Sequence, residues 1–241
     1  MSSSNNFPII IGVGQVVDHW DGEDLNAAPH PTTIINKAID VALNDTGVTG
    51  IFNHVDCAAF VRTFPDSLPM PFNPFGKIKN LPYAVLSHSD ITPRQVIYST
   101  AGGEQPQALV SELSEKLNAG EIELGVIAGG EVTGALKTVM KKGLKLDWAA
   151  EADGEMDDRG AQTDFISPYE IQNGLGMPPQ TYAAMEQALR ARLNMSKTQY
   201  LKHMGRMLSN LSKVAESNPY CLLYTSPSPR DRTRSRMPSS A

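Results

Sequence analysis

The residues best placed to do chemistry form a glycine-rich turn, Ser99–Glu104 (STAGGE), between a predicted strand and a predicted helix. Such a turn exposes backbone N–H groups at a helix N-terminus, where negative charge is favoured. A strand–turn–helix elbow of this kind suits a nucleophile or an oxyanion. A turn that serves only to reverse the chain is an equally good interpretation.

Other candidate groups give weaker signals. Cys57 lies in an apolar run, VDCAAFV, which is typical of buried packing rather than of a catalytic thiolate. Gly12 and Gly14 suggest a dinucleotide-binding loop, but Val17 occupies the position of the third glycine, so a tight turn is the better interpretation. The five histidines and two cysteines show no ligand spacing, and we therefore predict no metal site. The acidic stretch Glu151–Asp158 is typical of a solvated face.

The pattern of apolar residues predicts the elements that position the elbow. Strands alternate with amphipathic helices, which predicts β-α-β units, a largely parallel sheet and the α/β fold class. A stretch with five prolines, Phe64–Pro82, predicts a long ordered loop. The predicted strands are Phe7–Val13, Val55–Val61, Arg94–Ser99 and Leu124–Ala128, and the predicted helices are Thr32–Asn44, Pro106–Asn118, Gln180–Leu193 and Ser196–Glu216.

The sequence predicts three regions. Residues 1–140 form an α/β core, and residues 141–220 form a loop and helical cap region. Residues 221–241 (CLLYTSPSPRDRTRSRMPSSA) differ in composition from the rest. Cys221–Asp231 matches the translation of a synthetic adaptor used in DNA sequencing libraries, and the last seven residues match a primer segment that follows an index. We therefore expect an artefactual, disordered tail that begins after Tyr220.

Charge and composition exclude several classes of protein. The net charge of −5 becomes −8 without the tail, so we expect no nucleic-acid or membrane partner. The polar N-terminus is not a secretory signal, and no apolar run reaches the roughly 20 residues that span a bilayer. Two distant cysteines indicate no disulfide framework. A reducing, cytoplasmic location is the default expectation.

Several segments, in order, resemble thiolases. They are PIIIGVGQ near the start, STAGGEQPQALV at the elbow, GVIAGGEVTGA at the fourth strand, and the helix pair that begins PPQTYAAMEQALRARLN. ESNPY resembles a segment of a bacterial branch of acetyl-CoA acetyltransferases and thiolase-like proteins. The resemblance extends over residues 7–220. It implies a β-α-β-α-β half, a coenzyme A thioester as substrate, no bound cofactor, and a homodimer of the full-length protein.

The resemblance also exposes a departure at the elbow. Thiolases carry their nucleophile in a pattern like C-x-S-G-x-Q-A. Alignment of its QA with Gln107-Ala108 puts Gly102 at the cysteine position and Glu104 at the serine position. Glycine has no nucleophile, so no catalytic residue is assigned. Gly102, Gly103 and Glu104 are the expected substrate-binding residues.

These observations leave two functions and one weaker alternative. The first is a truncated acetyl-CoA acetyltransferase or thiolase-like acyltransferase, inactive as this fragment because the second half of a thiolase supplies other catalytic groups. The second is a non-catalytic acyl-CoA or lipid-binding protein of the same fold. The weaker alternative is a dinucleotide-binding domain.

Overall fold

The computed structural model describes residues 7–67, 76–161, 166–176 and 178–215. The chain divides into two compact units, Met1–Thr163 and Asp164–Ala241. The strands of the first unit are β1 (Cys57–Phe60), β2 (Ile78–Lys79), β3 (Gln95–Tyr98), β4 (Gly125–Ala128), β5 (Ala150–Glu151) and β6 (Asp157–Asp158). Its helices are α1 (Pro31–Asp45), α2 (Phe64–Ser67), α3 (Leu81–Leu86), α4 (Gln105–Ala119) and α5 (Thr133–Lys142). The second unit contains α6 (Pro168–Gln172), α7 (Pro178–Arg192) and α8 (Lys197–Ala215).

The central sheet has the order β4-β1-β3-β6, and each neighbouring pair is parallel. Phe60 at the end of β1 lies opposite Tyr98 of β3 and Ala128 of β4. The carboxyl ends of these three strands therefore lie at one edge of the sheet. A separate pair, β2 and β5, is also parallel. The predicted α/β class and mostly parallel sheet are confirmed.

Helices cover both faces of the sheet because β1 is apolar on both sides. On one face, Phe60 belongs to a buried cluster with Ile35 of α1 and Val85 of α3. On the other face, Cys57 belongs to a cluster with Leu109 of α4. The elbow and its helix thus rest on a packed core.

The first predicted strand, Phe7–Val13, is wrong. Those residues carry no regular secondary structure, and their apolar side chains are exposed. The segment instead lies against α1. A Cβ on Gly12 would collide with the carbonyl oxygen of Ala42, and a Cβ on Gly14 would collide with that of Ala38. A β-branched run forms a strand only when another strand pairs with it, and no described strand does so here.

The proline-rich stretch is also more regular than predicted. It contains α2, β2 and the start of α3, while residues 68–75 lie outside the described residues. Pro82 fits the first turn of α3, where its missing N–H costs no hydrogen bond. The helix α5 was not predicted, and the expected domain boundary at residue 140 lies inside it. The division into 1–140, 141–220 and 221–241 stays a prediction, and the expected tail lies outside the described residues.

The predicted helices α1, α4, α7 and α8 are confirmed to within a few residues. Gly120 ends α4 in the left-handed conformation, with φ of 73°. Ser196 caps α8: its Oγ accepts from the backbone N–H of Gln199 at 3.3 Å, and its own N–H donates to the Gln199 side chain at 2.9 Å. Local sequence signals were sufficient for these elements.

Candidate functional site

The elbow lies where parallel α/β sheets usually bind ligands, beyond the carboxyl ends of their strands. β3 ends at Tyr98, and α4 begins at Gln105. The intervening turn is followed by a helix of 15 residues, whose N-terminus favours negative charge. The structure thus confirms a strand–turn–helix arrangement at the predicted position.

Glu104 occupies the space beside Gly102. The three atoms nearest to a Cβ placed on Gly102 would all belong to the Glu104 carboxylate, whose Cδ lies 2.7 Å away. Neither Gly102 nor Gly103 has a positive φ, and a Cβ on Gly103 would meet nothing within 4 Å. The backbone therefore accepts a side chain at either position, once Glu104 turns away from Gly102.

Hydrogen bonds hold the Glu104 carboxylate in its ionised form. The side chain of Gln105 donates to Glu104 Oε1 at 3.0 Å. This bond and one to the backbone N–H of Glu104 lower the pKa of the exposed carboxyl below its ordinary value. The elbow therefore presents a carboxylate beside Gly102.

A buried arginine fixes the backbone that leads into the elbow. Arg62 follows β1, and its Nε donates to the carbonyl oxygen of Ser99 at 2.9 Å. Its guanidinium carbon lies 3.9 Å from the centre of the Tyr98 ring. Arg62 also forms ion pairs with Asp66, at 3.3 Å, and with Asp158. These contacts join the ends of β1, β3 and β6 behind the turn.

Two neighbours of Arg62, Tyr98 and Asp66, share a hydrogen bond. The Tyr98 hydroxyl donates to Asp66 Oδ2 at 2.8 Å. Burial and the adjacent carboxylate raise the pKa of Tyr98, so the phenol stays a hydrogen-bond donor. Burial raises the pKa of Asp66, while Tyr98 and Arg62 act in the opposite direction. The cluster is a satisfied polar network rather than a set of free catalytic groups.

A small cavity lies at the same edge of the sheet. Its volume is about 20 Å³, enough for about one water molecule and too small for an acyl chain. Burial raises the pKa of Glu131 in its wall, and the N–H of Phe64 donates to that carboxylate at 2.6 Å. Its lining includes Pro31, Thr63, Asp66, Glu131, Val132 and Trp148.

The hydroxyl and thiol groups near the elbow are not poised for attack. Cys57 is completely buried, and burial raises the pKa of its thiol. Its interpretation as a packing residue is confirmed. Ser99 is also completely buried, and its Oγ donates to the carbonyl oxygen of Thr100 at 2.6 Å. Neither side chain replaces the absent cysteine.

Sequence reasoning missed Arg62, Asp66 and Asp158 as a cluster. Arg62 could have been noticed as a cation just after a strand, at the edge where ligands bind. The acidic stretch that contains Asp158 was interpreted as a solvated face, and Asp158 is indeed exposed. Its ion pair with buried Arg62 was not predicted. Only the fold brings its distant position to β1.

The described residues contain no group of three or more His, Cys, Asp or Glu side chains that could hold a metal ion. Within the same ranges, no helix combines the length and the apolar character needed to cross a bilayer. The predicted cytoplasmic location stays a prediction.

The fold defines the class of protein: a mixed α/β protein of thiolase-like architecture. A solved structure of a monomeric SCP2-thiolase-like protein type 1 from Mycobacterium smegmatis is similar to it, with a TM-score of 0.63 and 25% sequence identity. The match covers 90% of this chain and 36% of that one, so the chain spans about a third of the length of that protein. No protein-family model matches the chain, and no curated protein matches it.

Proposed function

We propose that this chain is a thiolase-like protein that acts on acyl-CoA thioesters, of the acetyl-CoA acetyltransferase type, with Gly102–Glu104 facing the thioester. Three observations support the proposal: the thiolase-like architecture, the elbow at the carboxyl end of β3, and the open N-terminus of α4. Coenzyme A thioester is the substrate in this proposal, and no separate cofactor is required.

The absence of a nucleophile at Gly102 carries the chemical part of the proposal. Covalent acyl transfer at this elbow needs a thiolate that attacks the thioester carbonyl. Gly102 offers none, and the adjacent space holds the Glu104 carboxylate. We therefore propose that this chain alone does not perform cysteine-dependent acyl transfer.

The same observation favours a second function, non-catalytic binding of an acyl-CoA or a lipid. A retained elbow without its thiolate can still place backbone N–H groups near a carbonyl oxygen. Isothermal titration with acetyl-CoA, with NADH as the control ligand, tests binding. Saturable binding of NADH but not acetyl-CoA would support the weaker dinucleotide-binding alternative instead.

Catalysis is tested with the full chain. We expect no thiolysis of acetoacetyl-CoA. Turnover that is lost on Cys57→Ser or Ser99→Ala substitution would overturn our interpretation of Gly102.

A designed thiol tests the position of the elbow directly. In a Cys221→Ser background, the double variant Gly102→Cys/Glu104→Ser places cysteine and serine at the first and third positions of the family pattern. It also removes the carboxylate that overlaps the new side chain. We expect acetyl-CoA to transfer one acetyl group to it, as measured by mass spectrometry after proteolysis. Gly103→Cys/Glu104→Ser is the matched control, because position 103 has open space for a side chain and is displaced by one residue. Equal acetylation of both thiols would contradict the assignment of Gly102.

The resemblance implies a homodimer of the full-length protein, and we include this homodimer in the proposal. The structural neighbour is described as monomeric. Analytical ultracentrifugation of the full chain over a range of concentrations measures the state of this protein.

A further inference from the structure

The helical hairpin α7–α8 carries a charge opposite to that of the first unit. Residues 178–215 contain six Lys or Arg and one Glu, a net charge of +5. Residues 1–163 contain 11 basic and 21 acidic residues, a net charge of −10. The one acid of the hairpin, Glu186, accepts a hydrogen bond from the Tyr200 hydroxyl. Among the described residues, none of the six hairpin cations forms an ion pair.

α8 is strongly amphipathic, and its apolar side is exposed. Its apolar residues recur at intervals of three and four, which places them on one side of a helix. Leu211 is 60% exposed and Val214 is 75% exposed. Large apolar side chains that recur along one exposed stripe indicate a contact surface. The stripe consists of Tyr200, Leu201, Met204, Met207, Leu208, Leu211 and Val214, of which only Tyr200 is buried.

The opposite side of α8 is basic. Lys202, Arg206 and Lys213 line a shallow cleft together with Gly205, Ser209 and Asn210. A Cβ on Gly205 would meet nothing within 4 Å, so the helix backbone is accessible there. The helix contains no Asp or Glu from Lys197 to Ala215.

We propose that α8 docks on an anionic phospholipid surface. An amphipathic helix with a basic polar face and modest overall hydropathy lies in the bilayer interface, with its apolar side toward the acyl chains and its cations among the phosphates. One lipid surface satisfies both sides of α8, because the headgroup region surrounds a helix at that depth. The expectation of no membrane partner used the net charge of the whole chain, which conceals this segment.

Vesicle sedimentation of the full chain tests the proposal. The probes are large vesicles of phosphatidylcholine alone and vesicles with about one third phosphatidylglycerol. We expect binding only to the anionic vesicles, weakened by salt because screening acts on the phosphate contacts. Lys202→Ser/Arg206→Ser/Lys213→Ser should weaken binding by ~100-fold, on the basis of about fivefold for each cation near the surface. Leu208→Ser/Leu211→Ser should weaken binding by ~10-fold or more, because the variant loses two leucines that the bilayer would bury.

A charge-matched control separates the helix from general electrostatics. Lys137→Ser/Lys141→Ser/Lys145→Ser removes three cations from the first unit and should leave binding unchanged. The arginines after Tyr220 are present in every variant, so they cannot cause a difference between variants. Circular dichroism must show equal helix content in all variants.

Three outcomes would overturn the proposal. The first is equal binding to neutral and anionic vesicles. The second is an effect of the control triple variant as large as that of the α8 triple variant. The third is a dimer, seen by light scattering, that is lost on Leu208→Ser/Leu211→Ser, since the apolar stripe would then pack against a second copy.

Discussion

The two units of this chain stabilise their helices by different means. In the first unit, α1 and α4 bury apolar side chains against a parallel sheet, and several of its cations, among them Arg62 and Arg159, lie in ion pairs. In the second unit, α6 and α7 have no buried residue, and the described hydrogen bonds are mostly caps and contacts within the helices. Tertiary packing therefore stabilises the helices of the first unit, while helix propensity and capping contribute a larger share of helix stability in the second.

The largest expected effect comes from truncating an apolar side chain in the first unit, compared with a similar truncation in the second. Phe60→Ala removes a completely buried ring from the sheet and should destabilise the first unit by about 3–5 kcal/mol. Leu208→Ala removes a 52% exposed side chain and should change stability by less than about 0.5 kcal/mol. Urea unfolding measured by circular dichroism gives both values. Equal losses would show that the second unit has a core of its own.

A smaller effect is expected from the buried ion pair between Arg62 and Asp66. Arg62→Met leaves the Asp66 carboxylate buried without its cation, which should cost about 3 kcal/mol. Arg159→Met is the control, because its pair with Glu112 is partly exposed and should contribute about 1 kcal/mol or less. Adding Asp66→Asn to Arg62→Met should recover part of the loss. No recovery would mean that packing on Tyr98, rather than charge, gives Arg62 its role.

These contrasts also mark how far sequence reasoning reached. Periodicity and glycine caps located α1, α4, α7 and α8, because helices are specified by local contacts. The elbow was predicted because strand, turn and helix are consecutive. The Arg62 cluster was not, because Asp158 lies 96 positions away in sequence and only the parallel register of β6 brings it near.

The first strand failed for a related reason. Phe7–Val13 has the composition of a buried strand, but composition does not specify a pairing partner. Net charge is limited in a similar way, because one number for the whole chain conceals an acidic unit and a basic hairpin. Local features were predictable here, whereas strand pairings required the fold.

The capping of α8 should have a moderate effect that is confined to the second unit. Ser196→Ala removes the acceptor for the Gln199 N–H and should cost about 1 kcal/mol of helix stability. Amide hydrogen exchange of the first turn of α8 should accelerate, with no change in β1 or β3. Ser209→Ala is the control, because it lies in the helix interior, where alanine is favourable. Acceleration throughout the first unit would contradict local stabilisation of α8.

The smallest effect concerns the start of α1. His30 Nδ1 accepts from the N–H of Thr32 at 3.2 Å, so the neutral ring carries its proton on Nε2, which donates to the Trp148 carbonyl oxygen at 3.2 Å. Burial lowers the pKa of His30, and the nearby His88 acts in the same direction, while the backbone bond to Trp148 and the Asp147 charge oppose it. Protonation would remove the cap and place a positive charge at the positive end of the helix.

The sign of the pH effect follows from this lowered pKa. The unfolded imidazole titrates near about 6.5, and the folded one titrates below it, so the stabilisation is present above that pH and is lost as the pH falls through and below it. His30→Asn keeps a cap without a titrating group. Its melting temperature should therefore fall less than that of the parent between about pH 7.5 and about pH 5.5. Equal falls would exclude His30 as the cause. The α8 cap involves Ser196 and Gln199, which do not titrate. Protection of the first turn of α8 from hydrogen exchange should therefore not be lost as the pH falls, so pH alone distinguishes the two units.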